Sequence, residues 1–374
     1  MTRLTIAVPP RPYEAVIETG LLERAGAELR KVLPEPTRIF VVTVPPVRRK
    51  WGRKLQASLA ASGFEPNIIA MPDGERHKRL ASVELLAEKL VRLRTDRNSV
   101  VVAFGGGVVG DAAGLLASLY MRGMGLVQIP TTVLAQVDAS IGGKTGVNLR
   151  AGKNLLGTFH QPLAVLIDPA VLSTLPEREF RAGLYESLKC GVIGDPELFR
   201  VLERSSVESL RADTAQLEWV IGESVKLKAA IVSQDEREGG LRRVLNFGHT
   251  IGHALEAATQ YRRYLHGEAV AWGMIAAAKI ASSSGKLAAE SAQKIEEAVL
   301  RLGPLPKVDT RGGQILKLLR ADKKTRDGVV HFVLPRQIGR VEIDNDVSEQ
   351  AVMDAMEALR RLSGAMQPGP RPRT

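Results

Sequence analysis

Three observations predict the fold class, an α/β N-terminal domain followed by a mainly α-helical C-terminal domain. Strand and helix patterns alternate as far as Asp168, a glycine-rich GxGxxG turn at 105–110 follows one of these strands, and helical periodicity takes over beyond Pro176. Alternation of this kind is typical of parallel βαβ units with helices on both faces of the sheet. We therefore predict two domains, 1–176 and 177–364, with a boundary near Pro176.

The elements of the N-terminal half follow from short apolar runs and helical periodicity. Two β-like runs, 4–8 and 13–19, are separated by Pro9 and Pro10, which favours a hairpin. The patterns that follow predict strands at 38–43, 66–71, 99–104, 126–130 and 164–168, and helices at 47–62 and 80–94.

The C-terminal half has helical periodicity with charged outer faces. The predicted helices are 177–190, 196–211, 215–234, 246–258, 267–284, 288–302 and 348–362, and two late strands, 329–334 and 339–343, flank a turn at 335–338. The last residues, 365–374, are rich in Pro, Gly and Arg, so we expect a disordered tail there.

Composition limits the kinds of partner. The chain of 374 residues is 44% hydrophobic, enough to bury the cores of two domains. A net charge of +11 is compatible with nucleic acid, an anionic small substrate or a merely basic surface. Aromatic residues make up only 4% of the chain and are not interleaved with basic runs, as a base-stacking surface requires. We therefore expect no nucleic-acid partner.

The sequence also indicates the compartment. Its only cysteine, Cys190, excludes an intramolecular disulfide and fits a reducing environment. The N-terminal residues lack an apolar segment followed by a small-residue cleavage site. The longest late apolar run, 269–278, is far shorter than the roughly 20 residues that cross a bilayer. We expect a cytoplasmic protein with no membrane partner.

The glycine-rich turn GGGVVG at 105–110 follows the apolar strand SVVVAF and opens a helix. Glycines let a pyrophosphate approach the backbone, and the helix N-terminus attracts its negative charge. The acidic residue that usually follows about 20 positions later is missing, and the nearest candidates, Asp73 and Glu75, lie upstream. The turn thus predicts a nucleotide site that differs from that of an ordinary Rossmann dehydrogenase, although a tight packing turn is the alternative.

Polar residues follow the next predicted strand. Thr131 and Thr132 come first, and a glycine-broken loop then carries Asp138, Lys144 and Asn148. The segment AGKNLLG adds Lys153 and Asn154. Lysine ammonium groups beside glycines suit phosphate or carboxylate, although lysines also occur on ordinary solvated surfaces.

Three of the six histidines lie within eighteen residues, 249–266. His249 and His253 are four apart in a helical pattern and share a helix face, while His266 opens the next helical run. A catalytic zinc typically takes three protein ligands and keeps one open position, so the three imidazoles could bind one metal. The alternative is a hydrogen-bonding pair on a helix face, because the segment HTIGH lacks the glutamate of HExxH.

Six segments together resemble the 3-dehydroquinate synthase family of sugar-phosphate cyclases. They are GGGVVGDAAGLLASLYMRG, IPTTVLAQVDASIGGKTGVN, GKNLLGTFHQP, YESLKCG, NFGHTIGHALE and LHGEAVAWGM. Their order is right and they span most of the chain, so jointly they are far more specific than any one of them.

The resemblance implies an N-terminal Rossmann-like NAD-binding domain, a mainly α-helical C-terminal metal- and substrate-binding domain, an active site in the cleft between them, and a homodimer. It implies conversion of 3-deoxy-D-arabino-heptulosonate 7-phosphate to 3-dehydroquinate and phosphate with NAD and zinc or cobalt. The implied steps are transient oxidation by NAD, phosphate elimination, with the phosphate itself as a candidate base, re-reduction, and intramolecular aldol closure.

The resemblance also implies roles for individual residues. The implied metal ligands are Glu186, His249 and His266, which moves His253 from the metal to the substrate. Further catalytic or substrate contacts would be Asp138, Lys144, Asn154, Lys189, Lys228, Arg242 and Asn246, with Arg122, Lys153 and one of Lys323 and Lys324 on the phosphate or carboxylate. The implied NAD contacts are Asp73, Glu75, Lys78, Gly106, Gly107, Val108, Val109, Gly110, Asp111, Thr131, Thr132, Lys144 and Lys153.

Some residues depart from the family pattern, and other functions compete. Tyr185, Cys190 and the Arg76–His77 pair differ from what the motifs lead us to expect, which we interpret as packing or cofactor-rim changes. The rivals are a related cyclase making an inosose or valiolone, a metal-dependent polyol or glycerol-phosphate dehydrogenase, and a basic nucleotide- or RNA-binding protein. The intact GGKTGVN and GKN segments favour the synthase over the other cyclases.

Overall fold

The computed structural model describes residues 1–325 and 330–365, with the side chains of 322–325 left out. The described residues form two compact units. Unit 1 contains Met1–Phe180 and Arg211–Arg237, and unit 2 contains Arg181–Leu210 and the chain from Glu238 onward.

The elements are numbered in chain order. The strands are β1 Thr2–Ile6, β2 Tyr13–Ile17, β3 Ile39–Thr43, β4 Asn67–Ala70, β5 Val100–Gly105, β6 Gly125–Pro130, β7 Lys144–Leu149, β8 Gly152–Phe159, β9 Ala164–Ile167, β10 Phe332–Gln337 and β11 Arg340–Asp344. The helices are α1 Ala25–Arg30, α2 Pro45–Ala61, α3 Leu80–Arg92, α4 Gly107–Leu119, α5 Glu177–Gly194, α6 Pro196–Arg204, α7 Val207–Ala212, α8 Thr214–Gln234, α9 His249–Ala258, α10 His266–Ser283, α11 Ala289–Arg301, α12 Gly312–Thr325 and α13 Glu349–Ala365.

Unit 1 is built on a seven-stranded sheet in the order β1-β2-β9-β6-β5-β3-β4. β1 pairs antiparallel with β2, as the predicted hairpin requires, and the other pairings are parallel. β3 and β5 are neighbours in the sheet. β4 lies on the far side of β3, whereas β6 lies on the far side of β5, so the direction in which successive strands are added reverses between β3 and β5. Ligands of open α/β sheets bind at the carboxyl ends of strands beside such a switch point, and the glycine-rich turn follows β5.

Alternate side chains of the central strands enter two separate cores. Ile39 and Val41 of β3 pack in a cluster with side chains of α1 and α2, while Phe40 and Val42 pack with side chains of α3 and α4 on the opposite face. Both faces are therefore covered, which explains why these strands read as continuous apolar runs. The predicted α/β class and the helices on both faces are confirmed.

The hairpin of β7 and β8 was not predicted. Its glycines suggest a loop, but they lie where two strands come close, because a Cβ on Gly157 would meet the carbonyl oxygen of Thr145 at 2.0 Å. The predicted glycine-broken loop, QVDASIGGKTGVN at 136–148, is therefore only partly right. Asp138 lies in the π-type turn Ala135–Ala139, whereas Lys144, Lys153 and Asn154 lie on the hairpin.

Unit 2 is mainly helical. α10 is buried along most of its length and packs against α9, α11, α13 and β10. Its Trp272 is fully buried and donates from Nε1 to the carbonyl oxygen of Pro306 at 2.9 Å. The predicted helix 196–211 is two helices, α6 and α7, because the chain between them, at Ser205, is extended. α12 was not predicted, since its charged end reads as a solvated run.

The compact units divide the chain differently from the predicted domains. The predicted second domain begins at 177 and includes α8, whereas α8 belongs to unit 1, where it packs against β1 and the turn Ala135–Ala139. Of the predicted disordered tail, 365–374, Ala365 is the last residue of α13, and residues 366–374 lie outside the described residues. Among the described helices, none is both long and apolar enough to cross a membrane.

Candidate functional site

The three clustered histidines converge in unit 2. His249 is the first residue of α9, His253 lies one turn later, and His266 is the first residue of α10. Their ring centroids are 5.2 to 5.7 Å apart, and one nitrogen from each ring can be chosen so that all three lie within 4.8 Å of one another. The close packing of α9 on α10 brings the two helix starts together.

Glu186 of α5 supplies a carboxylate to the same place. It is only 1% exposed, and its Oε1 lies 3.9 Å from Nε2 of His249 and 3.7 Å from Nε2 of His266. Oε1 accepts no hydrogen bond from any residue that the structure describes. A buried carboxylate oxygen without a donor is costly, and a metal ion would satisfy it.

These three atoms fit a divalent metal. Bonds of about 2.1 Å in a tetrahedral site place neighbouring ligand atoms about 3.4 Å apart, and small side-chain rotations would bring the observed distances to that value. Imidazole nitrogens and one carboxylate oxygen are a common donor set for a catalytic zinc. His253 is near enough to be an alternative third imidazole, so the choice of Glu186 over His253 as a ligand stays a prediction.

In His249 and His266, the second ring nitrogen has a partner that orients the ring. Nδ1 of His249 lies 3.1 Å from the carbonyl oxygen of Phe247, and Nδ1 of His266 lies 3.2 Å from Oε2 of Glu256. A neutral ring that donates from Nδ1 leaves the Nε2 lone pair for a metal. Burial, together with the positive charge of Lys189 and the neighbouring imidazoles, holds the pKa of His249 well below its usual value and keeps the ring neutral.

Lys189 is buried beside the carboxylate of this cluster. It lies three residues after Glu186 on α5, is 2% exposed, and places Nζ 2.6 Å from Oε2 of Glu186. The pair leaves Oε1 of Glu186 on the side of the imidazoles. The spacing of three residues places both side chains on one face of α5.

Arg242 and Asn246 lie in the same unit, on the 3-10 turn Leu241–Asn246 just before α9. Arg242 is 2% exposed, and Asn246 donates from Nδ2 to Oε1 of Glu238 at 2.6 Å. One of Lys323 and Lys324 was predicted to contact the phosphate or carboxylate, and the side chains of both lie outside the described residues.

Unit 1 contains the predicted nucleotide turn. Gly106 caps the N-terminus of α4, and the residues from Gly107 to Asp111 form its first turn. A Cβ on Gly110 would meet Oε1 of Gln128 at 2.9 Å, so this glycine allows close packing of α4 on the sheet. Thr131 continues from β6 beside the turn and donates its backbone N–H to the carbonyl oxygen of Gly105 at 2.9 Å. The strand, turn and helix predicted from the GxGxxG pattern are confirmed.

A polar network joins the loop after β4 to the β7–β8 hairpin. Lys78 forms an ion pair with Asp111 and donates to Oδ1 of Asn154 at 2.5 Å. Asn148 donates from Nδ2 to Oε1 of Glu75 at 2.7 Å. Burial raises the pKa of Asp111, and the positive charge of Lys78 only partly offsets that effect.

Asp138 and Lys228 also meet in unit 1. Nζ of Lys228, on α8, lies 2.5 Å from Oδ1 of Asp138 and 2.6 Å from its carbonyl oxygen. Lys228 is 6% exposed, so the ammonium is held at a fixed place. Arg122 and Lys144 are exposed, and Lys153 is half-buried.

The departures from the family pattern have structural explanations in part. Tyr185 is fully buried, and its hydroxyl lies 3.4 Å from the carbonyl oxygen of Gly303, which fits a packing role. Cys190 is buried, whereas Arg76 is exposed and donates from Nε to Nε2 of His77 at 2.9 Å.

Sequence reasoning missed Glu256 and gave Asn148 no role. The one available signal for Glu256 was its spacing, three residues after His253 on a helix.

Comparison with protein families and relatives gives consistent matches. Residues 68–182 match the family described as 3-dehydroquinate synthase N-terminal, and residues 183–325 match 3-dehydroquinate synthase C-terminal. The chain is 53% identical over 363 residues to the 3-dehydroquinate synthase of Koribacter versatilis, covering 97% of this chain and 99% of the relative. It is 48% identical over 367 residues to the 3-dehydroquinate synthase of Gloeobacter violaceus, covering 96% of this chain and 100% of the relative.

Solved structures of related cyclases have the same fold. A 2-epi-5-epi-valiolone synthase from Streptomyces hygroscopicus, solved with NAD⁺ and Zn²⁺, matches with a TM-score of 0.86 and 33% identity, covering 95% of this chain and 99% of that one. A 2-deoxy-scyllo-inosose synthase, solved with carbaglucose-6-phosphate, NAD⁺ and Co²⁺, matches with a TM-score of 0.84 and 26% identity. The match covers 96% of this chain and 99% of that one. A probable glycerol dehydrogenase from Sinorhizobium meliloti matches with a TM-score of 0.62 and 18% identity, over 94% of this chain and 98% of that one. This likeness concerns the fold alone.

Proposed function

Because the chain belongs to the 3-dehydroquinate synthase family, we propose that it converts 3-deoxy-D-arabino-heptulosonate 7-phosphate to 3-dehydroquinate and phosphate. The reaction is a carbon–oxygen lyase step of the shikimate pathway. The observation that carries the proposal is the cluster in which Oε1 of Glu186 faces Nε2 of His249 and Nε2 of His266.

The cofactors are NAD and a divalent metal, zinc or cobalt, as in the related cyclase structures. When bound, the metal lowers the pKa of a substrate hydroxyl, and NAD takes a hydride from that carbon and later returns it. Glu186, His249 and His266 would hold the metal. The turn at the start of α4, with Asp73, Glu75 and Lys78, would hold NAD in unit 1.

The charges of the chain would bind and orient the substrate. The substrate carries a carboxylate and a phosphate, so several cations must face it. Arg122, Lys153 and one of Lys323 and Lys324 are the proposed contacts for these groups. The fixed ammonium groups of Lys189 and Lys228 would stabilise oxyanions that develop during elimination and aldol closure, because preorganised charges act without reorganisation.

Four further side chains, which are not cations, would contact or orient the substrate. His253 lies next to the proposed metal ligands, with its ring centroid 5.2 Å from that of His249, and would contact the substrate. The carboxylate of Asp138 is held in place by its ion pair with Lys228. Asn154 and Asn246 offer amide donors and acceptors that orient hydroxyl groups without changing charge.

We further propose a homodimer in the cytoplasm. The β7–β8 hairpin exposes Leu155, Leu156 and Phe159 at 61%, 39% and 43%, and clustered exposed apolar side chains are typical of protein interfaces. A second copy of the chain is the proposed partner on this surface. The single cysteine, Cys190, is compatible with a reducing compartment.

The first test measures phosphate release from 3-deoxy-D-arabino-heptulosonate 7-phosphate with substoichiometric NAD, with and without a chelator, while NADH absorbance is followed. We expect many phosphates per NAD, no accumulating NADH, and loss of release on chelation. Absence of release would contradict the proposal and favour a related cyclase with another phosphorylated sugar. NADH accumulating with a polyol would instead indicate a dehydrogenase.

A further inference from the structure

Asn148, near the end of β7, hydrogen-bonds to two segments that the proposed function places on different ligands. Its Nδ2 donates to Oε1 of Glu75 at 2.7 Å, and its Oδ1 accepts the backbone N–H of Asn154 at 2.9 Å. Its own backbone N–H donates to the carbonyl oxygen of Lys78 at 2.8 Å. Asn148 is 8% exposed, so these bonds are largely shielded from water.

These contacts require an amide at position 148. One end of the side chain must donate to the Glu75 carboxylate while the other accepts from a backbone N–H, and only Asn has both functions at this length. An aspartate would still accept from Asn154 but would place a second carboxylate against Glu75. The site therefore distinguishes the two isosteric side chains.

The contact with Asn154 also stabilises an unusual backbone. Asn154 has φ of +54°, in the left-handed region, near the start of β8, where the register of the hairpin shifts. Its side chain accepts from Nζ of Lys78 at 2.5 Å. Glu75, Asn148, Asn154 and Lys78 thus form a closed polar circuit that joins the loop after β4 to the hairpin.

We propose that Asn148 is a positioning residue that holds Glu75 in place for NAD and Asn154 in place for the phosphorylated sugar. This inference rests on the proposed function, which assigns Glu75 to the cofactor and Asn154 to the substrate. Asn148 itself contacts neither ligand in this assignment. Its two hydrogen bonds make the two sites depend on one side chain.

The test compares Asn148→Asp with Asn148→Ala in the full chain. NAD affinity is measured by calorimetric titration, and KM for the sugar phosphate and kcat by phosphate release. Asn148→Asp keeps the acceptor for Asn154 but repels Glu75, so we expect NAD to bind on the order of tenfold more weakly with a small change in KM. Asn148→Ala removes both bonds, so both NAD affinity and KM should worsen.

A reciprocal variant tests the pairing directly. In Asn148→Asp with Glu75→Gln, the donor lies on residue 75 and the acceptor on residue 148, so NAD affinity should return to that of Glu75→Gln alone. Asn98→Ala, at an exposed turn of the same unit, is the matched control and should behave as the unmodified chain. A merely structural role would lower thermal stability without this split between NAD affinity and KM.

NAD affinity and KM within twofold of the unmodified chain, in both folded variants, would overturn the inference. If Asn148→Asp does not fold, as judged by circular dichroism, the same twofold criterion for NAD affinity and KM is applied to Asn148→Ala alone. The unmodified chain is measured first. If it neither binds NAD nor releases phosphate, the proposed function has failed, whereas normal binding and turnover with indifferent variants leave that function standing and reject only the role of Asn148.

Discussion

Oε2 of Glu256 lies 3.2 Å from Nδ1 of His266, while Nε2 of the same ring lies 3.7 Å from Oε1 of Glu186. Glu256 is 1% exposed, so its carboxylate is a buried partner that fixes the ring. Partners of this kind raise the basicity of the ligand nitrogen, and their loss typically costs 10–100-fold in metal affinity. We predict that Glu256→Gln weakens Zn²⁺ binding by about tenfold, measured by competition with a chromophoric chelator.

The control for this prediction is Glu28→Gln. Glu28 is also a buried glutamate, but it lies in unit 1 and pairs with Arg3 and Lys31. Its replacement should leave Zn²⁺ affinity unchanged. Equal Zn²⁺ affinity in Glu256→Gln and the unmodified chain would show that the contact with His266 does not tune the metal.

The ligand set is tested by replacing His253 and His266 separately. If Glu186, His249 and His266 bind the metal, His266→Ala should lose bound metal and turnover while NAD binding survives. His253→Ala should keep the metal and lose turnover, since only a substrate contact is removed. Metal content after dialysis, measured by emission spectroscopy, checks both. Loss of metal from both variants would support a site of three imidazoles instead.

The ammonium of Lys228 should matter for turnover more than for stability. It contacts Asp138 at 2.5 Å and is buried, so Lys228→Met removes a fixed charge without leaving a large cavity. We expect kcat to fall on the order of 100-fold, as for loss of other preorganised charge stabilisers. Lys226→Met on the same helix is the control, because Lys226 is 61% exposed and pairs with Glu223. Similar kcat values for the two variants would contradict the prediction.

The stability of the protein should depend on pH through His160. Nε2 of His160 lies 2.9 Å from the carbonyl oxygen of Met124, and burial lowers its pKa below the usual 6.5. Below pH 6.5 the unfolded chain binds a proton that the folded chain resists, so this contribution to stability is present above 6.5 and is lost as pH falls through the folded pKa. One proton gives a slope of at most about 1.4 kcal/mol per pH unit.

His160→Gln keeps a donor for Met124 but does not titrate. Urea unfolding of the metal-free variant should therefore lose less stability between pH 7.5 and pH 5.5 than the unmodified chain does. Other titrating groups, including His249, are common to both proteins and cancel in the comparison. Parallel pH dependences would show that His160 does not contribute.

The sequence predicts the central sheet well because its strands are unambiguous. Val41 and Val102, in β3 and β5, lie in short, β-branched apolar runs between turns, a pattern typical of strands buried on both faces. The β7–β8 hairpin was missed because glycines such as Gly157, which here permit close strand contact, are also typical of loops. Local pattern cannot distinguish these two uses of glycine.

The candidate site was predictable only in part. The spacing of His249, His253 and His266 indicated a metal cluster, but nothing in periodicity joins Glu186 to histidines some sixty residues later along the chain. That link came from resemblance to a family. Glu256 and Asn148 act through hydrogen bonds to other residues, and their partners become visible only when the folded backbone brings them together.

The approach of α9 to α10 depends on Gly273. A Cβ at this position would meet the carbonyl oxygen of Gly248 at 1.8 Å and the backbone nitrogen of Gly252 at 3.0 Å. Both are backbone atoms, so no side-chain rotation can relieve the clash, and α9 must move away from α10. Since His249 follows Gly248 directly, the same movement displaces a predicted metal ligand from His266. We expect Gly273→Ala to lower the free energy of unfolding by about 3 kcal/mol and to weaken Zn²⁺ binding.

Gly222→Ala separates this steric effect from the general effect of glycine on helices. Gly222 lies within α8, where an added Cβ would meet nothing within 4 Å, so alanine there should stabilise the protein by about 0.5–1 kcal/mol. Urea unfolding of the metal-free proteins gives the stability change, and chelator competition gives the Zn²⁺ affinity. Wild-type stability and metal affinity in Gly273→Ala would mean that the helices can separate without cost, and the start of α9 would then not be held by its contact with α10.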